Sequence, residues 1–196
     1  MIIVPLGQPP LAVGLRRLVD EFDCSSIYPD DAIAVEVDRF LRHGMVRDLR
    51  YRTSSTFVAL SERSEHADLM GYVTVCLGSI QLTEPERDDV GAPPFISSFG
   101  AIKIAMLGVD RRHRHKGVGE ALVDYVVARS RRVADLFAVR FVCADVNPNV
   151  IDWYAQQDFV ACEKGHRRGT TSMRLDLLKR DEIEALHRQH ADELAT

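Results

Sequence analysis

The stretch that decides how this chain is read is Gly108–Val126, GVDRRHRHKGVGEALVDYV. Six basic or imidazole side chains, Arg111 to Lys116, stand in a row and lead into Gly117 and Gly119. Beyond them Val118, Ala121, Leu122, Tyr125 and Val126 fall at i, i+3, i+4, i+7 and i+8, the spacing of one apolar helix face. The run AIKIAMLGV before it reads as a strand. A basic loop thus leaves a strand's carboxyl end and enters a helix whose first turn carries two glycines. Free N–H groups and the helix dipole favour an anion there, and a residue without Cβ lets the backbone approach it closely. Arg114 and Lys116 add positive charge alongside, so the loop reads as a phosphate cradle.

Two well-known cradles are excluded. A dinucleotide fingerprint needs a third glycine where Leu122 stands. A P-loop needs G-x-x-x-x-G-K-[ST], and no such string occurs. What remains is Arg114-His115-Lys116-Gly117-Val118-Gly119, or R-x-x-G-x-G between a strand and a helix.

Around this loop the chain has 196 residues, 46% apolar and 28% charged, which suits an ordinary globular protein with a sizeable core. Residues 1–180 are expected to form a single domain, with 181–196 an acidic C-terminal helix. That tail carries Asp181, Glu182, Glu184, Asp192 and Glu193 against Arg188, which accounts for the whole formal charge of -4. The cations of the loop are therefore a local feature of a near-neutral domain, not part of a globally basic nucleic-acid binder.

No apolar run approaches the ~20 residues that cross a bilayer. The opening MIIVPLGQPPLAVG is broken by Pro5, Pro9 and Pro10 and reads as a first strand and turn rather than a signal peptide. The four cysteines, Cys24, Cys76, Cys143 and Cys162, form no C-x-x-C pair. Two of them, Cys76 and Cys143, sit in strand-like runs, which suits buried thiols in a reducing cytoplasm. His187 and His190 lie in the charged tail without a thiol or third histidine beside them, so they read as solvated and no metal is expected.

Along the chain, LAVGLRRLVDEF and DDAIAVEVDRFLRHGMVRDL carry helical spacing, with Asp30 and Asp31 suited to a helix start. STFVALSE and LMGYVTVCLGSI read as a hairpin about the polar turn RSEHAD. TEPERDDVGAPPF reads as a mobile loop, rich in proline and acids. After the cradle helix come a strand VRFVCADV, a short helix VIDWYAQQ and a last strand TTSMRLDLL. This order predicts an α/β fold with a mixed sheet, its basic loop at a strand's carboxyl end where such sheets bind ligands.

The R-x-x-G-x-G string resembles the pyrophosphate-binding motif of the GCN5-related N-acetyltransferases (GNAT), which hold acetyl-CoA in this way. The similarity continues in NPNVIDWYAQQDF, where Asn147, Tyr154 and Phe159 stand at the family's spacing after the next strand. Asp158 departs from the family, in which a glycine is usual before the phenylalanine. The resemblance covers roughly residues 50–178. It implies a mostly antiparallel central sheet flanked by helices and splayed at the acetyl-CoA site. It also implies Leu107, Gly108 and Val109 along the pantetheine arm and Arg114, His115, Lys116, Gly117, Val118 and Gly119 on the pyrophosphate. A narrower likeness, in Phe22-Asp23-Cys24, Phe40-Leu41-Arg42 and Thr56-Phe57-Val58, is to the branch containing bacterial toxins that acetylate aminoacyl-tRNA.

The implied chemistry is acetyl transfer from acetyl-CoA to a primary amine. Tyr154 is the candidate general acid: a phenol near pKa ~10 stays protonated, and a leaving thiol near ~8.5 can take its proton. Packing on the helix face shared with Val150 and Trp153 is the other reading. For Asn147 two readings stand side by side, a cofactor or water ligand and a turn former. The general base is missing, since AIKIAMLGV has no carboxylate. Glu84, Asp88 and Asp89 on the loop before it are the carboxylates that would swing in, or else are simply solvated; Asp110 beside the cradle reads as structuring the turn, and His113 and His115 lie by the cofactor's phosphates. An α-amine near ~7.7–8.0 is partly free at neutral pH and needs less help than a lysine near ~10.4. The acceptor is then a small molecule or aminoacyl-tRNA, the latter needing a basic surface such as Arg47, Arg50 and Arg52, or Arg167 and Arg168. The rival readings are a CoA-binding sensor and a nucleic-acid-binding module. A homodimer and a cognate antitoxin are left open as partners, and no membrane is expected.

Overall fold

The computed structural model describes residues 1–6, 15–25, 32–61, 68–164 and 169–194. Asp30, Asp31, Arg167, Arg168 and nearly all of the turn RSEHAD lie outside them, as does the side chain of His190. The strands are β1 (Ile2–Pro5), β2 (Ser55–Leu60), β3 (Leu69–Gln81), β4 (Ser98–Val109), β5 (Val139–Val146), β6 (Val160–Ala161) and β7 (Thr171–Asp176). They form an open, mostly antiparallel sheet in the order β1-β2-β3-β4-β5-β7-β6. The chain gathers into two compact units, Met1–Cys76 with Ile104–Val126, and Leu77–Lys103 with Val127–Thr196.

In the first unit β1 pairs antiparallel with β2, and β2 with β3, the latter in register from Ser55↔Val75 to Ala59↔Gly71. Helices α1 (Leu15–Glu21), α2 (Ala32–Arg39) and α3 (Met45–Tyr51) belong here, the last two joined by a π-helical turn, Phe40–Gly44. Their apolar residues Val19, Val37, Leu41 and Met45, with Phe22 just after α1, meet Val58, Leu69 and Tyr72 of the strands in one core. Tyr72 buries its ring there because its hydroxyl donates to the Val37 carbonyl at 2.6 Å, leaving no polar orphan. Gly108 of β4 is needed for this packing: a Cβ would stand 2.8 Å from the Tyr72 ring and 2.9 Å from Val37. On Gly71 a Cβ would meet Val118 and Leu122 of helix α5 (Val118–Phe137). The apolar face foreseen for the cradle helix is thus the face it buries.

In the second unit β5 pairs antiparallel with β7, and β7 with β6. Phe141, Cys143, Ile80, Val90 and Ala101 share a core. Arg140 ties three pieces of this unit together. Its guanidinium pairs with Asp176, donates to the Val90 carbonyl and lies over the rings of Phe99 and Phe141. Helix α7 (Arg180–Leu194) is the acidic tail.

Two expectations need correction, and one strand was not foreseen. The stretch taken as a mobile loop contains helix α4 (Glu84–Asp89), because Thr83 and Glu86 form a capping box and Pro85 suits a first turn. Glu86 is then drawn inward by a 2.6 Å ion pair with buried Arg174 of β7. The short strand β6 carries no period of its own to read. Cys76 is half-buried rather than buried, although Cys24, Cys143 and Cys162 are buried, and none of the four is in a disulfide.

Candidate active site

Strand β4 ends at Val109 with Leu107 and Val109 half-buried and Gly108 buried. Asp110 follows, wholly buried, and heads a 3-10 turn, Arg111–His113. Its carboxylate accepts from the Arg112 N–H at 2.8 Å, from the Arg112 guanidinium at 2.8 and 3.0 Å, and from the Asp23 N–H at 3.1 Å. Burial alone would raise its pKa, but the bonds from Arg112 and Asp23 outweigh burial and hold it below the usual carboxylate value. Asp110 is therefore a fixed anion that builds the turn, and it is no free base.

The chain then passes through His115 at φ +56° and Gly117 at φ +75° before α5 begins at Val118. Gly117 serves the backbone conformation, since a Cβ on it would meet nothing within 4 Å. The space beside Gly117 is open, and the first-turn amides of α5 have no intrahelical acceptors. A twenty-residue helix adds its dipole at this end. Backbone donors, an open approach and local cations are what a pyrophosphate requires, and the residues present fit one.

The cations themselves are arranged in a way their sequence does not show. Arg111 pairs with Asp23 at 3.1 Å, and Arg112 with Asp110. Arg114 donates to the carbonyls of Cys24 and Ser25 at 2.8 and 2.7 Å, and Lys116 to the carbonyl of Arg112 at 2.7 Å. Arg111 N–H also donates to the Asp23 carbonyl at 2.8 Å. The basic run thus braces its own loop and fastens the segment 23–25 to it, while keeping its charge at the helix end.

The second unit holds the other two site residues. Asn147 Oδ1 accepts from the Asn149 N–H at 3.0 Å and caps the 3-10 turn Pro148–Val150. Of its two readings, turn formation is the one made by this contact. Tyr154 lies on helix α6 (Ile151–Ala155), buried, with its ring edge-on to Trp153 at 4.9 Å and Phe159 at 5.2 Å. Burial pushes its phenol well above the ordinary tyrosine value, so it is protonated at neutral pH. Asp158, in place of the family's glycine, has φ +63°. The residue differs, but the left-handed geometry that favours glycine is retained.

The structure thus brings Leu107–Val109 and Arg114–Gly119 together at one strand end, and Asn147 and Tyr154 onto one strand-to-helix connection. Glu84, Asp88 and Asp89 stand on α4 instead of a swinging loop, all exposed. A feature missed in the sequence is a cleft in the first unit lined by Glu36, Arg39, Phe40, His43, Gly44, Arg47 and Met106. Its signal was a polar stripe at helical spacing, of which only Arg47 stands out beforehand. Among the described residues no cluster of side chains suits a metal ion, and no helix is long and apolar enough to cross a membrane.

The model of the acetyltransferase (GNAT) family matches residues 25–159. Among solved structures the chain is similar to a bacterial toxin, with 20% identity and a TM-score of 0.68 over 94% of each chain. It is also similar to AtaTR bound with AcCoA (14% identity, TM-score 0.67, 94% of this chain and 96% of that one). AtaT complexed with acetyl-methionyl-tRNAfMet matches at 16% identity and a TM-score of 0.66, over 86% of this chain and 91% of that one. The sequence matches none of the curated proteins.

Proposed function

The chain belongs to the GNAT family of acetyltransferases, and on that premise we propose that it moves the acetyl group of acetyl-CoA onto a primary amine by direct attack on the thioester. The observation that carries the reading is the loop Arg114–Gly119, whose positive-φ Gly117 opens the amino end of α5 to an anion. Backbone amides of Val118 and Gly119 hold the pyrophosphate, with Arg114, His115 and Lys116 supplying charge around it. Backbone groups of Leu107, Gly108 and Val109 bond the pantetheine arm as an added strand would, and the Val109 N–H polarises the thioester carbonyl. Asn147 keeps the turn that leads into α6. Tyr154, protonated by its burial, gives its proton to the departing thiolate. Acetyl-CoA supplies an activated acetyl group and a leaving thiol.

A second reading is favoured by the structural likeness to toxins along almost the whole chain: the acceptor is the α-amine of an aminoacyl-tRNA. A carboxylate-free β4 core suits this, because an α-amine needs little help to lose its proton. That reading brings a cognate antitoxin and a cytoplasmic location with it, and cysteines outside any disulfide suit the latter.

The test is to incubate the protein with labelled acetyl-CoA and an extract containing charged tRNA, then count label in tRNA, protein and small-molecule fractions. Wild type is expected to transfer label. Tyr154→Phe should lose about 10²–10⁴-fold in turnover while keeping acetyl-CoA affinity. Equal turnover in the variant removes Tyr154 from the mechanism, and binding without transfer into any fraction favours a sensor.

A further inference from the structure

The first unit carries a cleft of about 340 Å³, within the size range of small-ligand sites. Glu36, Arg39, Phe40, His43 and Arg47 recur at i, i+3, i+4, i+7 and i+11, and Met106 of β4 closes the other side. Through them runs the π-helical turn Phe40–Gly44, a distortion that recurs at functional sites. Gly44 lets the Phe40 ring lie against the backbone, for a Cβ there would stand 2.6 Å from it.

The opposite face of the turn is locked. Leu41 is buried, and Arg42 pairs with Asp38 while donating to the carbonyls of Val19, Asp20 and Phe22. Glu36, Arg39, His43 and Arg47 are exposed on this rigid backing, with Arg47 steadied by Asp48 at 2.9 Å. In the lining two guanidiniums stand against the single carboxylate of Glu36, with Asp48 outside it as the partner of Arg47, and guanidinium N–H groups suit an anionic ligand. Met106 immediately precedes Leu107, so the cleft adjoins the strand assigned above to the thioester.

Resting on the acetyl-transfer reading, we propose that this cleft seats the acceptor, an α-amine flanked by a carboxylate or phosphate, with Arg39 and Arg47 on the anion and His43 as the general base. Neutral imidazole takes one proton from the ammonium. The freed nitrogen lone pair forms the C–N bond and the C–S bond breaks. The thiolate takes the Tyr154 proton, and the second proton leaving nitrogen restores the phenol, so one proton in all is released. This places a base in a protein whose β4 strand has none. The charged groups lining the cleft with His43 are Glu36, Arg39 and Arg47, and β4 contributes only the Met106 thioether.

The experiment measures acetyl-CoA affinity first, then label transfer to two acceptor pools, a mixture of the free amino acids and bulk aminoacyl-tRNA. Label in one pool identifies carboxylate or phosphate as the anion. Arg39→Gln and Arg47→Gln are expected to raise acceptor KM about tenfold, with acetyl-CoA affinity within twofold of wild type. His43→Ala should lower kcat about 10²-fold. Added imidazole should restore it. His43→Gln, closer in shape, should be equally slow if the loss is chemical. Failure to bind acetyl-CoA would sink the acetyltransferase reading itself. Binding without label in either pool, unchanged KM in both arginine variants, or a His43→Ala loss that imidazole does not rescue would each overturn the cleft proposal alone.

Discussion

Asp158 shows how one residue can keep a geometry while departing from a pattern. Its φ of +63° places it in the left-handed region, which costs an ordinary L-residue roughly 1 kcal/mol and glycine almost nothing. Its N–H still donates to the Ala155 carbonyl at 3.2 Å, and the Phe159 N–H to that of Tyr154 at 3.2 Å, so the helix end is closed. Asp158→Gly is therefore expected to stabilise the protein by about 0.5–1 kcal/mol, read as a higher urea midpoint with an unchanged slope. At this scale the family resemblance already marked the position as one where glycine is usual. The sequence did not show where Arg114 points, because the carbonyls that take its guanidinium belong to Cys24 and Ser25, 90 and 89 positions away.

Helix α4 is the element whose existence depends most on its ends. Six residues lie far below the ~12 at which isolated helices become even marginal in water. Thr83 supplies the cap, its N–H donating to Glu86 Oε2 at 2.9 Å, and its hydroxyl also reaches Glu163 at 2.7 Å. Thr83→Ala should cost about 1 kcal/mol of global stability, measured by urea unfolding. A spectroscopic change confined to loss of one helical turn, without any shift of midpoint, would contradict this coupling. The capping pattern Thr83-x-x-Glu86 was present in the sequence but was masked by Pro85, Pro93 and Pro94. The buried Arg174 that fixes Glu86 is 88 residues distant, and no local signal announces it.

For the molecule as a whole, the acid side of the stability curve rests on carboxylates held in place by cations. In Glu86 burial raises the pKa, but bonds from the Thr83 and Glu163 backbone and the charge of Arg174 together bring it below the ordinary value. Asp110 is lowered likewise. A folded-state pKa below the unfolded one means a contribution that is complete above the unfolded value, about 4, and is lost as pH falls towards the folded value. Unfolding free energy should thus be level from about pH 7 to 5 and drop below about pH 4. Asp110→Asn should start lower and fall less steeply, and an identical acid limb in both proteins would remove Asp110 as a contributor.

The local chemistry of the cradle can be read from the residues alone: a strand, a basic loop, two glycines and an apolar helix face, each legible because it depends on neighbours within a few residues. Tyr154 on its short helix is legible for the same reason. Folding in three dimensions settles the rest: which cations brace the loop, that Asp110 is a buried structural anion, that part of an acidic proline-rich stretch is helical, and that Glu36, Arg39, His43 and Arg47 line one cleft with Met106. Those outcomes depend on hydrogen bonds and contacts between residues far apart in the chain, and short-range spacing carries no record of which distant partner a side chain will find.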